Sequence, residues 1–307
     1  MTGAAGFIGR ALCRGLVERG HAVVGITRRR AEPIPGVGLL ALGDIGPATD
    51  WSAHLRGIEA VVHLAATAHR RVDPAALSAE PAAAAALARA AAAAGARRFV
   101  LLSSLKAMGE ESPQGRRFRA ADMPDPASPY GALKLAVEEA LAAAARESGI
   151  EPVILRPPLV YGPGVKANFR ALLRLAASGL PLPFAGIDNR RSLIFLDNLV
   201  DLAALAVFHP QASGRVWLAR DDTDWSTPGL FRALAGALGR PARLYRLPAA
   251  FWALARRVPA IAPLASSLAV DDAPTRDALG WAPSASAEAG LAATARAFLE
   301  ESLRSPR

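Results

Sequence analysis

The chain has 307 residues, 52% of them hydrophobic and 21% charged, with a formal net charge of +9; this is the composition of a globular protein of one elaborate domain or two closely joined ones. No membrane span, signal peptide or internal disulfide is expected: Arg89, Glu138, Glu139 and Arg146 break the alanine-rich stretches below the roughly 18 to 20 apolar residues of a span, the N-terminus opens on a glycine turn, and Cys13 is the only cysteine. The positive charge comes from scattered arginines with no aromatic-rich basic segment, which reads as attraction for a polyanionic small molecule in a cytoplasmic enzyme, not as nucleic-acid binding.

In chain order, Gly3, Gly6 and Gly9 open the sequence and run into an apolar helical pattern at Ala11, Leu12, Leu16 and Val17, where Cys13 reads as a buried thiol. Three glycines at this spacing suit a turn that cradles phosphate. Gly3 can adopt positive φ, Gly6 lets the backbone approach a pyrophosphate and Gly9 allows close packing, while the helix N-terminus attracts the anion. An ordinary glycine-rich turn has the same pattern. Short β-rich runs follow at 21–27, 39–42, 60–65, 98–103 and 151–155. Between them lie a short helix at 51–56, a long alanine-rich helix at 74–94 capped by Gly95, and a helix at 129–147. Continuous apolar strands alternating with helices predict a doubly wound parallel α/β sheet that binds a dinucleotide at the strands' carboxyl ends.

The rhythm changes near Tyr161, where Gly162-Pro163-Gly164, Gly179, Pro181, Pro183 and Gly186 interrupt the chain and short helices take over at 169–177 and 230–238. The expected organisation is a dinucleotide-binding domain over 1–164 and a smaller, mainly substrate-binding portion over 165–307. Residues 192–220 return to the sheet in this reading.

Tyr130-Gly131-Ala132-Leu133-Lys134 carries the chemistry. A tyrosine and a lysine four apart share a helix face. The ammonium favours the phenolate and so lowers a phenol pKa of about 10, fitting Tyr130 to exchange a proton with a sugar hydroxyl or ketone. The pair alone could be a helix pair of no consequence. The glycine loop and the serine pair Ser103-Ser104 at a strand end give it a context.

Taken together, Thr2 to Gly9, His63 to His69, Ser103-Ser104, Tyr130 to Lys134, Arg156-Pro157-Pro158, Tyr161 to Gly164 and Leu279-Gly280-Trp281 resemble the extended short-chain dehydrogenase/reductases, the nucleotide-sugar epimerase and dehydratase family, over nearly the whole chain. The resemblance implies a Rossmann-type fold. It makes Tyr130 the acid/base and gives Lys134 the roles of tuning it and binding the nicotinamide ribose. Ser104, five residues before Gly109, holds the reacting oxygen. Gly3, Gly6, Phe7, Ile8 and Gly9 line the dinucleotide phosphates, Asp44 and Ile45 contact the adenine, Ala65 and Ala66 line the cofactor channel and Pro157 approaches the nicotinamide.

Arg28, after Thr27, stands where an acidic side chain would accept hydrogen bonds from an adenosine ribose, which favours NADP over NAD; a solvated charge run over Arg28 to Arg30 is the alternative. Within the family, the segments 156–169 and 189–200 look most like bacterial reductases of UDP-linked N-acetylated 4-keto-6-deoxy hexoses, used for surface polysaccharide. This makes Lys166, Asn168 and Arg191 candidates for the nucleotide diphosphate. Asn168 also suits a helix N-cap, Asp197-Asn198 a capping element and His63 a satisfied core position, while His69 could lie at the site edge.

The expected reaction is NADPH-dependent reduction of the C4 ketone of a UDP-sugar. A UDP-sugar 4-epimerase with retained NAD is the alternative, and a nonenzymatic dinucleotide sensor is a third reading. No metal is expected, and the family implies a homodimer through the helices over 82–94 and 130–147. Met108 replaces a tyrosine that faces the sugar in many members, and Glu80 replaces an asparagine that supports proton relay. Only Met1 and Thr2 precede the loop, so the expectation is a first strand cut short, with a natural start upstream or a weakly stable, weakly binding protein.

Overall fold

The computed structural model describes residues 1–66, 74–255, 258 and 261–304. Helix α1 (Phe7–Glu18) follows the glycine loop and leads to parallel strands β1 (Val23–Thr27), β2 (Val37–Ala41) and β3 (Ala60–His63). Helix α2 (Pro74–Ala93), β4 (Arg98–Leu102), α3 (Pro129–Ser148) and β5 (Glu151–Arg156) continue the alternation. The residues at 51–56 form turns closed by Trp51 carbonyl bonds to His54 and Leu55 and not the expected helix, because Gly57 ends the segment before a second helical turn can propagate.

β2 pairs with β1, and β3, β4 and β5 pair in sequence, all parallel. Thr2 joins the two sets by bridging Ile26 on one side and His63 on the other. At this point the Thr2 amide donates to Val62 O at 3.0 Å, the Ile26 amide to Met1 O at 2.7 Å and the Leu64 amide to Thr2 O at 3.3 Å. Backbone groups that the glycine loop leaves between two strands are thus paired there.

Alternation along the strands divides the core between the two faces of the sheet. Leu12, Cys13 and Leu16 of α1 pack with Val62, Val100 and Val153 on one face; Leu87, Leu133, Val137 and Leu141 pack with Val61, Phe99 and Leu101 on the other. This is a doubly wound, Rossmann-type α/β fold. Cys13 is fully buried, and desolvation pushes its thiol up to about 11.

Beyond β5 the chain forms β6 (Leu159–Tyr161), α4 (Ala167–Ala177), β7 (Arg191–Phe195), α5 (Leu196–Phe208), β8 (Arg215–Leu218) and β9 (Asp224–Trp225). β8 adds to β5 in the main sheet, and α5 packs in the same core as α1. β7 differs from the expected return: it pairs with β6 and β9 in a separate small sheet. Helices α6 (Thr227–Ala237), α7 (Ala249–Ala255), α8 (Ala262–Ala265), α9 (Ala273–Leu279) and α10 (Ala287–Arg304) complete the chain. Phe169, Leu173, Phe231, Leu234, Trp252 and Leu291 form a second core under the small sheet.

The two portions are joined by buried polar groups. The Tyr161 hydroxyl donates to Asp221 at 2.6 Å, and the Asn198 amide donates to Asp221 at 2.8 Å and to the Ala285 carbonyl at 2.9 Å. Asn198 is therefore a tie between segments, whereas Asp197 lies in the first turn of α5. Among the described residues no helix is long and apolar enough to cross a membrane, and no cluster of side chains could hold a metal ion.

Candidate active site

The dinucleotide end of the site is made by backbone. Gly3 has φ +71, and a Cβ there would stand 2.9 Å from the Ala65 amide nitrogen; at Gly9 it would stand 2.2 Å from the Gly3 carbonyl oxygen. The loop is folded onto itself as tightly as it is folded onto 64–65. Gly9 serves close packing of the helix against the loop. Gly6 caps α1 in an extended conformation with no side-chain bond. The first-turn amides of α1, at Phe7 and Ile8, lie at the helix end where backbone donors lack intrahelical partners, and this suits phosphate oxygens. A Cβ on Gly6 would lie 3.2 Å from Gly3 O, crowding the cradle.

The expected adenosine contacts gather at the ends of β1 and β2. Arg28 Nε lies 2.7 Å from Asp44 Oδ1, both side chains more than half exposed. Ile45 packs at the edge of the α2–α3 core, and Ala65 and Ala66 follow β3 beside the loop, with the Ala65 amide 3.3 Å from the Thr2 hydroxyl. These residues fit a dinucleotide laid across the carboxyl end of the sheet. His63 is a core residue bonded through Nδ1 to the Thr2 hydroxyl at 2.9 Å; burial lowers its pKa to about 3, so it is neutral. His69 lies outside the described residues.

The chemical end is built on α3. Ser128 caps this helix by accepting from the Gly131 amide at 3.2 Å, and Pro129 supplies a first helical residue with no amide to satisfy. Tyr130 and Lys134 then project from one face. Lys134 is 5% exposed; its Nζ lies 5.9 Å from the Tyr130 ring centre and 3.4 Å from the Leu102 carbonyl. Ser104 caps the 3-10 turn Leu105–Ala107 by accepting from the Lys106 amide at 3.2 Å, and its hydroxyl lies near enough to the Tyr130 phenol to favour the phenolate. The Leu105 amide donates to Pro157 O at 2.9 Å, so Ser104 and the buried Pro157 are held beside each other. Ser104, Tyr130, Lys134 and Pro157 therefore form one constellation at the ends of β4 and β5.

One expectation is corrected. Tyr130 titrates above its ordinary value: burial raises it, the nearby Ser104 hydroxyl lowers it and the Glu80 carboxylate raises it. Desolvation of the phenol outweighs the groups that favour the phenolate. Burial likewise lowers Lys134, against the opposing pull of Glu80 and Glu138.

The diphosphate candidates are more scattered. Lys166 and Asn168 are exposed around the start of α4, where Lys166 takes the N-cap position and Asn168 is already helical, so Asn168 is not the cap. Arg191, at the start of β7, donates to Ser266 O at 3.0 Å; burial lowers it to about 10 while Glu110 and Glu111 raise it. Met108 is a core residue, 1% exposed and packed with Leu105, Phe118 and Val270.

Glu138 and its pairing with Arg156 were missed, and Glu80 was noted only as the replacement for an asparagine. Glu80 faces Tyr130 and Lys134, and Glu138 lies one turn past Lys134 in an ion pair with Arg156. The i+4 spacing from Lys134 to Glu138 was the available signal; the α2–α3 and α3–β5 contacts have none in the sequence.

Residues 1–218 match the model of the NAD dependent epimerase/dehydratase family. The chain is 38% identical to a UDP-glucose 4-epimerase of Vibrio cholerae over 317 residues, covering 99% of this chain and 96% of that protein. It superposes on MoeE5 in complex with UDP-glucuronic acid and NAD with a TM-score of 0.79 at 25% identity, covering 98% of each chain. A UDP-glucuronic acid 4-epimerase from Bacillus cereus in complex with NAD shares the fold, with a TM-score of 0.80 at 23% identity and 98% of each chain covered. The chain belongs to the NAD dependent epimerase/dehydratase family and is an enzyme of it.

Proposed function

From that membership, we propose that the enzyme performs hydride chemistry at C4 of a UDP-linked hexose, and that its net reaction is 4-epimerisation with the nicotinamide retained. The observation that carries the reading is the Ser104–Tyr130–Lys134 constellation beside the glycine cradle. The likeness to a UDP-glucose 4-epimerase along the whole chain supports C4 as the reacting carbon. A bound nicotinamide would accept the C4 hydride and give it back.

Tyr130 takes the proton of the C4 hydroxyl as the ketone forms and returns it to the C4 oxygen once hydride has been given back to the opposite face of the ketone. Ser104 donates to the same oxygen and holds charge where it develops. Lys134 stabilises the phenolate during the interval when Tyr130 is without its proton. Epimerisation needs Tyr130 as both base and acid in one turnover. Lys166, Asn168 and Arg191 are assigned to the diphosphate in this proposal, Arg191 with a planar guanidinium suited to two oxygens. A homodimer through α2 and α3 belongs to the same proposal, to be read by light scattering.

A second reading, net reduction of a UDP-4-keto-6-deoxy-N-acetylhexosamine with NADPH for surface polysaccharide, is favoured by Arg28. At the end of β1 an arginine suits a 2′-phosphate, although here it must exchange Asp44 for that phosphate. The two readings part on coenzyme stoichiometry. Purified protein is incubated with UDP-glucose, UDP-N-acetylglucosamine or a UDP-4-keto-6-deoxy sugar, with no coenzyme, NADH or NADPH, and products are identified by NMR. Interconversion of C4 epimers without coenzyme consumption is expected; consumption of one NADPH per 4-keto sugar establishes the second reading.

A further inference from the structure

Behind the catalytic side chains lies a charge pair to which the reaction assigns nothing. Glu138 and Arg156 each have 4% of the side chain exposed. Arg156 Nε lies 3.0 and 3.1 Å from the two Glu138 carboxylate oxygens, and a terminal nitrogen lies 2.5 Å from Oε2. The Ser103 hydroxyl also donates to Glu138, and the second terminal nitrogen of Arg156 reaches Met108 Sδ. One guanidinium at the end of β5 thereby touches α3 and the segment that follows the 3-10 turn, while its carboxylate partner holds the end of β4. These are the segments that carry Lys134, Ser104 and Pro157.

A buried ion pair is a poor source of stability, since desolvating both charges offsets their attraction. It does fix geometry and field. Tyr130, Lys134 and Glu138 recur at four-residue intervals along α3, so they stack on one face. The groups facing Lys134 are Tyr130 and Glu138 on α3, Glu80 on α2, His63 on β3, the Leu102 carbonyl on β4 and, through Glu138, Arg156 on β5. Burial disfavours the Lys134 ammonium, and Glu138 supports it. With Arg156 in place that support is partial, because the guanidinium cancels most of the carboxylate field.

We propose that Glu138 and Arg156 are positioning residues, a balanced pair that locks the strand ends carrying Ser104 and Pro157 to α3 and keeps the field on Lys134 and Tyr130 near neutral. Removing one charge unbalances that field in a predictable direction. Glu138→Gln leaves a cation and favours the phenolate; Arg156→Gln leaves an anion and disfavours it. The double variant restores neutrality. Eight helical residues span about 12 Å, and one charge at that distance across an effective dielectric of about 20 corresponds to a shift of about one pH unit.

The inference rests on the assignment of Tyr130 as the acid/base, so its test does not depend on turnover. The phenolate absorbance of Tyr130 is titrated as the difference between each protein and the same protein carrying Tyr130→Phe, with thermal melting as the control for folding. Glu138→Gln is expected to move the titration down by about one unit, Arg156→Gln up by a similar amount, and the double variant to return within a fraction of a unit of the parent. If Arg156→Gln does not fold, Glu138→Gln and the double variant must still differ by the full shift. Unmoved titrations in folded variants, or shifts of one sign in both single variants, overturn the proposal. Where a substrate is turned over, kcat falls in the single variants while KM for the UDP-sugar holds. Opposed titration shifts without any UDP-sugar turnover keep this inference and reject the proposed reaction.

Discussion

The two ends of the site are built by opposite means. The dinucleotide end is defined by side chains that are missing: Gly3 and Gly9 leave no room for a Cβ against 64–65 and Gly3 itself. The chemical end is defined by side chains that are charged and buried, with Lys134, Glu138 and Arg156 all within 5% exposure. A backbone-built end tolerates changes of charge nearby and fails when a carbon is added. A charge-built end keeps its shape under conservative changes of size and fails when a proton or a charge is removed.

The largest expected effect lies at the chemical end. Tyr130→Phe keeps the ring and deletes the proton, so kcat should fall by roughly 10² to 10⁴ while nicotinamide binding, followed by fluorescence, is unchanged. Gly9→Ala tests the other end. Its Cβ meets a carbonyl oxygen at 2.2 Å, and with no flexible atom to yield, a loss of about 1–3 kcal/mol in stability and weaker coenzyme binding should appear together. Equal binding in the alanine variant would break the comparison at its root.

His63 sits beneath that loop and gives it a pH dependence. Its pKa in the fold is about 3 against an ordinary 6.5, so the unfolded chain binds the extra proton between those values. The stabilising contribution is complete above about pH 6.5 and is lost as pH falls towards 3, at up to ~1.4 kcal/mol per unit. Urea unfolding at pH 7 and pH 5 should show about 2 kcal/mol more loss in the parent than in His63→Asn. Arg28→Ala is expected to have the smallest effect. If the 2′-phosphate reading holds, NADPH affinity falls about tenfold, ~1.4 kcal/mol, with NADH affinity unchanged; equal loss for both coenzymes identifies Arg28 as a general surface charge.

The same contrast explains what could be read from the sequence. Gly3, Gly6 and Gly9 and the parallel strands were legible because local backbone geometry and strict apolar runs demand them. Tyr130 and Lys134 were legible because one helix turn separates them. The Glu138–Arg156 pair was not, since its partners lie on different elements; Glu80 was legible as the replacement for an asparagine, but its reach to Tyr130 from α2 was not. The apolar run at 192–195 announced a strand but not its sheet, because β7 and β8 are equally hydrophobic. Met108 was legible as the replacement for a tyrosine that faces the sugar in many members, and its unbranched apolar side chain is packed against Phe118 and Val270. The tuning of Tyr130 was expected from the lysine alone, whereas the depth of burial, which only the fold reveals, sets its direction.

The central claim is that the hydrogen at C4 leaves and returns within one active site. UDP-hexose deuterated at C4 is incubated with the enzyme and unlabelled coenzyme, and the C4 position of the product is read by NMR and mass spectrometry. The account predicts an epimeric product that keeps its deuterium while the coenzyme pool remains unlabelled; product carrying hydrogen at C4, with deuterium in the coenzyme or in water, would contradict it.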